Sequence, residues 1–290
     1  MEIKLLFFEK EHEHLKHMIH YFKYILFPKV TVKVIPNCTF SHTYNNSIAV
    51  IWRTWPKALD YFKKAHDNNH SVGAIHIGHE KYEPKKIKWY KYAKFVLKKG
   101  YNKEYQSYAE NVYWIPTGIS SMESICYGED KKYLYNFVGT TGNTSFRSID
   151  RNDLNKEFLN KDKRKDKYVL IKKGGTGPLS AKEYYKVLSY SKFTICAYGN
   201  NKETMRHWEA LEVGSIPICK DAEYLTILND HPYVIIKNYG ELNKFFEDVT
   251  EEYIRGKEME VKEWWIKQKG IFSEEYYKIL LKYFNNLKLY

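Results

Sequence analysis

The chain has 290 residues, enough for two domains of ordinary size, each with its own core. Hydrophobic residues at 43% and aromatic residues at 17% exclude a disordered chain, and no window reaches the ~20 apolar residues of a membrane span. A formal net charge of +12 favours anionic ligands: nucleoside diphosphates, acidic glycans, phospholipid surfaces or nucleic acid. From the amino terminus, residues 3–8 read as a strand, 11–24 as a helix, 30–35 and 48–52 as strands, and 56–66 as a helix opened by Pro56. Strands follow at 72–77, 95–98 and 112–115, the last running into Pro116, Thr117 and Gly118. This rhythm predicts an α/β domain over 1–120, with the Ser-, Gly- and acid-rich stretch 119–132 as the hinge. A second α/β domain is expected over 131–258, and a helical tail over 259–290.

The second domain opens with a buried strand over 134–138 that runs into a Gly- and Thr-rich turn. Gly139 lets backbone approach a ligand, and Thr140, Thr141, Asn143, Thr144 and Ser145 offer hydroxyl and amide donors. A strand over 168–171 leads through the loop 172–177 to a helix over 180–189, where Ser180 and Glu183 form a capping box. The richest stretch follows. An apolar run, 193–197, breaks at Gly199, Asn200 and Asn201; a helix then ends at Gly214 and a second apolar run, 216–219, begins. In one sheet this order means a right-handed parallel crossover. It presents a helix N-terminus at a strand's carboxyl end, where free N–H groups and the macrodipole favour an anion. Arg206 and Glu209 lie three apart and so share a helix face. A guanidinium suits a diphosphate, and a carboxylate accepts two ribose hydroxyls. A surface ion pair would account for the two residues alone. It would not account for the strands and turns that flank them. The loop that starts at Lys172 is expected over the base or sugar of the same nucleotide.

Thr204, Arg206, Glu209, Ala210, Gly214, Ile216 and Pro217 together resemble the nucleotide-sugar signature of exostosin-like glycosyltransferases. In that family the first strand of the donor domain ends in Phe-x-Gly with an Arg several residues later; Gly139, Arg147 and Arg151 occupy the comparable places. The resemblance implies an α/β fold of GT-B type, two Rossmann-like domains facing across a cleft, with a C-terminal helix crossing back to the first domain. It implies a nucleotide-diphosphate sugar as donor, with UDP as the nucleotide and xylose, glucuronate or N-acetylglucosamine as the sugar, and a glycan or glycoconjugate as acceptor. The expected donor-binding residues are Gly139, Thr140, Arg147, Arg151, Lys172, Thr204, Arg206 and Glu209. Many retaining relatives place a second Glu eight residues before the Glu-Ala pair; Asn201 stands there, which leans towards inversion.

An inverting transfer needs a base for the acceptor hydroxyl and positive charge for the leaving diphosphate. Arg206 is the expected source of that charge. For the base, Glu80 is the first choice and His79 the second, just past the strand end that also carries His76; the family often has Asp-Glu there. With no Asp-x-Asp motif, neither a metal nor a bound cofactor is expected. The His12, His14, His17 and His20 run is not H-E-x-x-H, because Lys16 stands where the second His belongs; it reads as a solvated helix face. The Lys- and aromatic-rich segment 81–108 invites a nucleic-acid reading, yet no RNP or helix-turn-helix pattern accompanies it. It is read instead as an acceptor-side surface on which aromatic rings stack on sugars, and no stable nucleic-acid partner is expected. Cys196 and Cys219 are expected as small core residues. The amino terminus carries no signal-peptide pattern, so a soluble cytoplasmic protein of microbial or viral type is expected, with peripheral membrane contact left open. The alternatives are a GDP-fucose-dependent fucosyltransferase of similar fold, a catalytically inactive sugar-binding module, and a basic nucleic-acid-binding protein.

Overall fold

Long apolar runs with little alternation mark strands covered on both faces, as Ser47–Ile51 and Val72–His76 are, and the described residues form eleven strands, all parallel. A computed structural model describes residues 2–8, 15–52, 57–78, 83–128, 130–141, 146–173 and 178–284. The chain divides into two units, Met1–Gly118 with Lys269–Tyr290, and Ile119–Gln268. Among the described residues no helix is long and apolar enough to cross a membrane.

The first unit holds β1 (Glu2–Phe8), β2 (Thr31–Cys38), β3 (Ser47–Ile51), β4 (Val72–His76), β5 (Val96–Lys99) and β6 (Val112–Ile115). They form one parallel sheet in the order β2-β1-β3-β4-β5-β6. Every residue of β3 and β4 is buried. Helix α1 (Ala58–Asp67) buries Ala58, Tyr61, Phe62 and Ala65, the i, i+3, i+4, i+7 stripe of an amphipathic helix. Pro56, the expected first-turn residue, lies outside the described residues. The β1–β2 crossover is helical over 16–26 but changes pitch, with 3₁₀ geometry over Lys16–Met18 and π geometry over Phe22–Leu26. A short helix α2 (Lys103–Gln106) is capped by Asn102, whose side chain accepts the Glu104 N–H at 2.9 Å.

In the aromatic segment after β4, three of the rings expected to stack on sugars are core residues, while Tyr92, Tyr101 and Tyr108 are half-buried. Trp89, Tyr90 and Tyr105 are buried, Trp89 stacks on Phe62 at 4.7 Å, and the Tyr90 hydroxyl meets His76 Nδ1 at 2.5 Å. Two 3₁₀ turns, Pro84–Lys86 and Lys88–Tyr92, explain the sorting. Lys85, Lys88, Lys91 and Lys94 are all exposed, and within the second turn the three-residue repeat puts Lys88 and Lys91 on one side while Trp89 and Tyr90 turn inward.

The second unit holds β7 (Tyr133–Thr141), β8 (Lys167–Lys173), β9 (Ser191–Ile195), β10 (Ile216–Lys220) and β11 (Val234–Ile236) in the order β11-β10-β9-β7-β8. Its helices are α3 (Phe146–Leu154), α4 (Ala181–Ser189), α5 (Met205–Glu212), α6 (Glu241–Asp248) and α7 (Glu251–Tyr283). The α4 capping box forms as read, Ser180 Oγ accepting the Glu183 N–H at 3.3 Å. Cys196 and Cys219 are free and buried, as expected of small core residues.

Counted within each unit, both sheets share one order: second strand outermost, then first, third and fourth. The order reverses between β1 and β3 in the first unit, and between β7 and β9 in the second. In open parallel sheets, ligands bind outside the carboxyl ends of the strands at such a point.

Helix α7 starts eight residues before the tail read from sequence, at Glu251 rather than 259. Trp264 and Trp265 pack within the second unit, their indole N–H groups donating to Asn229 O at 2.8 Å and to Glu212 Oε2 at 2.6 Å. Phe272 and Tyr276 pack in the first, Phe272 against the Trp114 ring at 5.8 Å. Ile119 is buried, and Ser120 bonds to Glu209 within the second unit.

Candidate functional site

At the β7–β9 reversal the second unit concentrates buried charge. Strand β7 delivers Val138, Gly139 and Thr140, and β9 ends at Ile195, so the following turn carries the chain to the start of α5. Arg206, the second residue of α5, is 9% exposed. Its Nη2 donates to Val138 O, and its guanidinium lies 5.0 Å from the centre of the Phe137 ring. Among the described residues Nε and Nη1 meet no acceptor in full hydrogen-bond geometry, although the Tyr184 hydroxyl interacts with the guanidinium. Burial opposes the charge, but neighbouring Tyr184, Cys196 and Glu209 outweigh it and hold the Arg206 pKa above the ordinary guanidinium value. A buried cation with two unanswered donors costs stability unless an anion completes it.

Glu209 lies on the same helix face, 3% exposed. Both of its oxygens are already engaged. Oε1 accepts from Ser120 Oγ at 2.7 Å and from the Ser120 N–H at 3.3 Å, with the Tyr185 hydroxyl, which donates to Ser120 O, 3.3 Å away; Oε2 accepts from the Tyr184 hydroxyl at 3.0 Å. Each oxygen thus carries a hydroxyl, the arrangement expected of a ribose diol but supplied here by protein. Burial, then the Glu209 charge, pushes both tyrosine pKa values up, so both remain donors.

Gly139 has a different use from the one its sequence suggests. A Cβ there would meet Phe137 Cζ at 3.0 Å and Arg151 Nη1 at 3.5 Å, so the glycine makes room for protein side chains. Arg151 is buried and points at backbone, its Nη1 donating to Thr140 O at 2.7 Å and its Nε to Tyr198 O at 3.2 Å. Beside it, Asp150 accepts the Tyr198 N–H at 2.7 Å and the Tyr239 hydroxyl at 2.6 Å on Oδ2, and pairs with Lys220 through Oδ1.

Thr204 precedes α5, and His207 Nδ1 lies 3.1 Å from its N–H and 3.1 Å from its Oγ1. The same Nδ1 lies 3.1 Å from Thr204 O, so its polar neighbours all belong to that one residue. Burial drives the His207 pKa down to about 3, with Arg206 adding to the effect, so the ring is neutral. Trp208 Nε1 donates to Glu203 Oε1 at 2.9 Å, tying the preceding turn to the helix.

The structure therefore brings Gly139, Thr140, Arg151, Thr204, Arg206 and Glu209 together at the carboxyl edge of one sheet. Lys172 is exposed on β8, beside Thr140 in register. Arg147 lies in α3, but its side chain, like His79 and Glu80, lies outside the described residues. Sequence reasoning missed Ser120, Asp150, Tyr184, Tyr185 and Tyr198; the adjacent pair Asp150-Arg151 just after a Gly-rich turn was the available signal for one of them. A cavity of about 750 Å³ lies elsewhere in this unit, lined by Lys244, Phe245, Val249 and Tyr253 among others, and includes none of the candidate residues. Among the described residues no cluster of three or more His, Cys, Asp or Glu is arranged to hold a metal ion.

The family model described as RXYLT1 C-terminal domain matches residues 118–285, more than half of the chain. A curated relative, ribitol-5-phosphate xylosyltransferase 1 of Danio rerio, is 27% identical over 145 residues, covering 44% of this chain and 32% of its own length. The chain thus spans about a third of that relative, at 32%. Among solved structures, HepE of Anabaena in complex with UDP superposes with a TM-score of 0.58 at 10% identity, covering 97% of this chain and 100% of its own. MnaA of S. aureus, also solved with UDP, gives 0.52 at 10% identity, covering 99% and 97%. At these identities the likeness concerns the fold, which is α/β of GT-B type with two parallel Rossmann-like sheets.

Proposed function

The chain belongs to the RXYLT1 C-terminal domain family, and we propose that it is a glycosyltransferase that takes its sugar from a nucleoside-diphosphate donor held at the carboxyl edge of the second unit. One observation carries the reading: Arg206, buried at the strand-order reversal, finds among the described residues no acceptor in full hydrogen-bond geometry for Nε and Nη1, the Tyr184 hydroxyl being its polar neighbour. A diphosphate supplies the missing acceptors, and the N-terminus of α5 adds the favourable end of its dipole. As the bond to the sugar breaks, charge grows on the leaving diphosphate, and a preorganised guanidinium stabilises that state more than the ground state.

The donor is UDP-xylose in this reading, supported by the xylosyltransferase relative. The acceptor is a glycan or glycoconjugate bearing a polyol phosphate, which the relative's named substrate and the net charge of +12 both favour. Transfer is inverting, with Glu80 as base and His79 beside it, and it needs no metal because Arg206 and the helix end supply the charge. Isothermal titration with UDP, GDP, CDP and ADP, with and without EDTA, tests the donor site. Selective UDP binding that survives EDTA and is lost in Arg206→Ala is the expected result. Binding of no diphosphate, or binding indifferent to Arg206, overturns it. With UDP-xylose, the anomeric configuration of the product decides inversion, and Glu80→Gln should abolish turnover while leaving UDP affinity intact.

A further inference from the structure

A peptide group that leaves a strand loses its ladder partners, and when buried it must find others. Tyr198, three residues past the end of β9, meets that need in an unusual way: both of its backbone polar groups are bound by side chains of opposite charge from neighbouring positions on α3. Asp150 Oδ2 accepts its N–H at 2.7 Å, and Arg151 Nε donates to its carbonyl at 3.2 Å. The rest of the residue is held as firmly. Its hydroxyl donates to Asp221 O at 2.7 Å, and Lys220, itself paired with Asp150, lies 5.2 Å from its ring centre. Arg151 also reaches across the strand-order reversal to Thr140 O at 2.7 Å, tying the carboxyl end of β7 to the chain leaving β9.

We propose that Asp150 and Arg151 are positioning residues, a brace that fixes the Tyr198 peptide and so directs the turn 199–203 that delivers Arg206 to the donor diphosphate. This reassigns Arg151, whose sequence neighbourhood suggested a ligand contact, to backbone. The inference rests on the donor reading for its functional half. The physical case is the direction of the chain: from Tyr198 to Arg206 there are only eight residues, and the turn is closed by Gly199 N–H to Asn201 O at 3.0 Å. Releasing the Tyr198 peptide frees the start of the turn, whose far end is still held by Glu203 on Trp208. Asparagine at 150 keeps the shape but loses the charge that Lys220 balances, and lysine at 151 keeps charge but lacks the fork needed for two carbonyls.

The test compares Asp150→Asn and Arg151→Lys with Leu154→Ala, which removes a buried apolar side chain from the same helix and leaves the brace alone. Backbone hydrogen exchange and UDP titration are read on each full-length variant at matched loss of melting temperature. Both brace variants should speed exchange of the amides of 198–204 and weaken UDP by about tenfold, the loss of one hydrogen bond to a charged group. Leu154→Ala should do neither. Brace variants that bind UDP like the wild type, or a Leu154→Ala that loses affinity equally, overturn the proposal. If the wild type binds no nucleoside diphosphate, the donor reading falls and exchange alone decides the brace: selective loosening of 198–204 upholds it, and exchange no faster than in Leu154→Ala overturns it.

Discussion

The two sheets share a strand order, yet they use their buried polar groups differently. Around the first unit's sheet the interior is aromatic: Trp89 stacks on Phe62, and Tyr90, Tyr105 and Tyr61 close the cluster. Its buried cation, Lys98, is held by the carbonyls of Gly78 at 2.9 Å and Lys99 at 2.8 Å. In the second unit the order reversal is lined by Asp150, Arg151, Arg206 and Glu209, all buried. Three of these four are matched by hydrogen-bonding partners, and among the described residues Arg206 keeps two donors without an acceptor in full hydrogen-bond geometry. The same topology thus surrounds aromatic packing in one place and buried charge in the other; in the proposed function it is the charge placed at the reversal, rather than the strand order, that makes the site.

Trp89→Ala is the strongest way to break this contrast. It should cost about 3–5 kcal/mol of stability, read by denaturant unfolding, and leave UDP affinity of the folded protein unchanged. A change in UDP affinity would mean that the aromatic cluster is more than packing. Arg206→Ala should do the reverse, lowering turnover at saturating donor by about 10²–10³-fold. Glu209→Gln sharpens the comparison, because the carboxylate holds Ser120 and Tyr184 by charged hydrogen bonds. The expected loss is about 1.5–3 kcal/mol of stability, seen as a lower unfolding midpoint; a variant as stable as the wild type would show that those bonds contribute nothing net.

The smallest effect is a pH slope. With a folded pKa of about 3 against an ordinary 6.5, His207 stays neutral in the native protein while the unfolded chain takes up a proton. Its contribution is complete above about 6.5 and is lost as pH falls from there towards about 3. The slope is at most about 1.4 kcal/mol per pH unit. His207→Gln should flatten the melting temperature over that window, and an unchanged slope would reject the assignment.

Much of the skeleton was legible in the chain. The strands at 72–77, 112–115 and 216–219 fall within a residue or so of β4, β6 and β10, because a strand buried on both faces needs an unbroken apolar run. Arg206 and Glu209 were legible for the same kind of local reason, a helix opened by a turn at a strand end. The partners of those residues were not. Asp150 meets Tyr198 across 48 positions and Tyr239 across 89, and no periodicity reports such pairs. The segment 81–108 was misread because interleaved lysines and rings resemble a binding surface; the spacing of three, which belongs to a 3₁₀ turn, sorts them into outside and inside.

What the amino-acid sequence determined by itself was local: which stretches become strands and helices, where α4 is capped, and which helix carries a guanidinium and a carboxylate on one face. Propensity, hydrophobic period and capping act over a few residues, so they can be read along the chain. Tertiary structure alone decided which polar groups are satisfied. It gave Glu209 to Ser120 and Tyr184, gave Arg151 to two carbonyls, and left Arg206 two donors with no acceptor in full hydrogen-bond geometry among the described residues. Hydrogen-bond satisfaction depends on which distant atoms share a buried space, and only the folded chain brings them together.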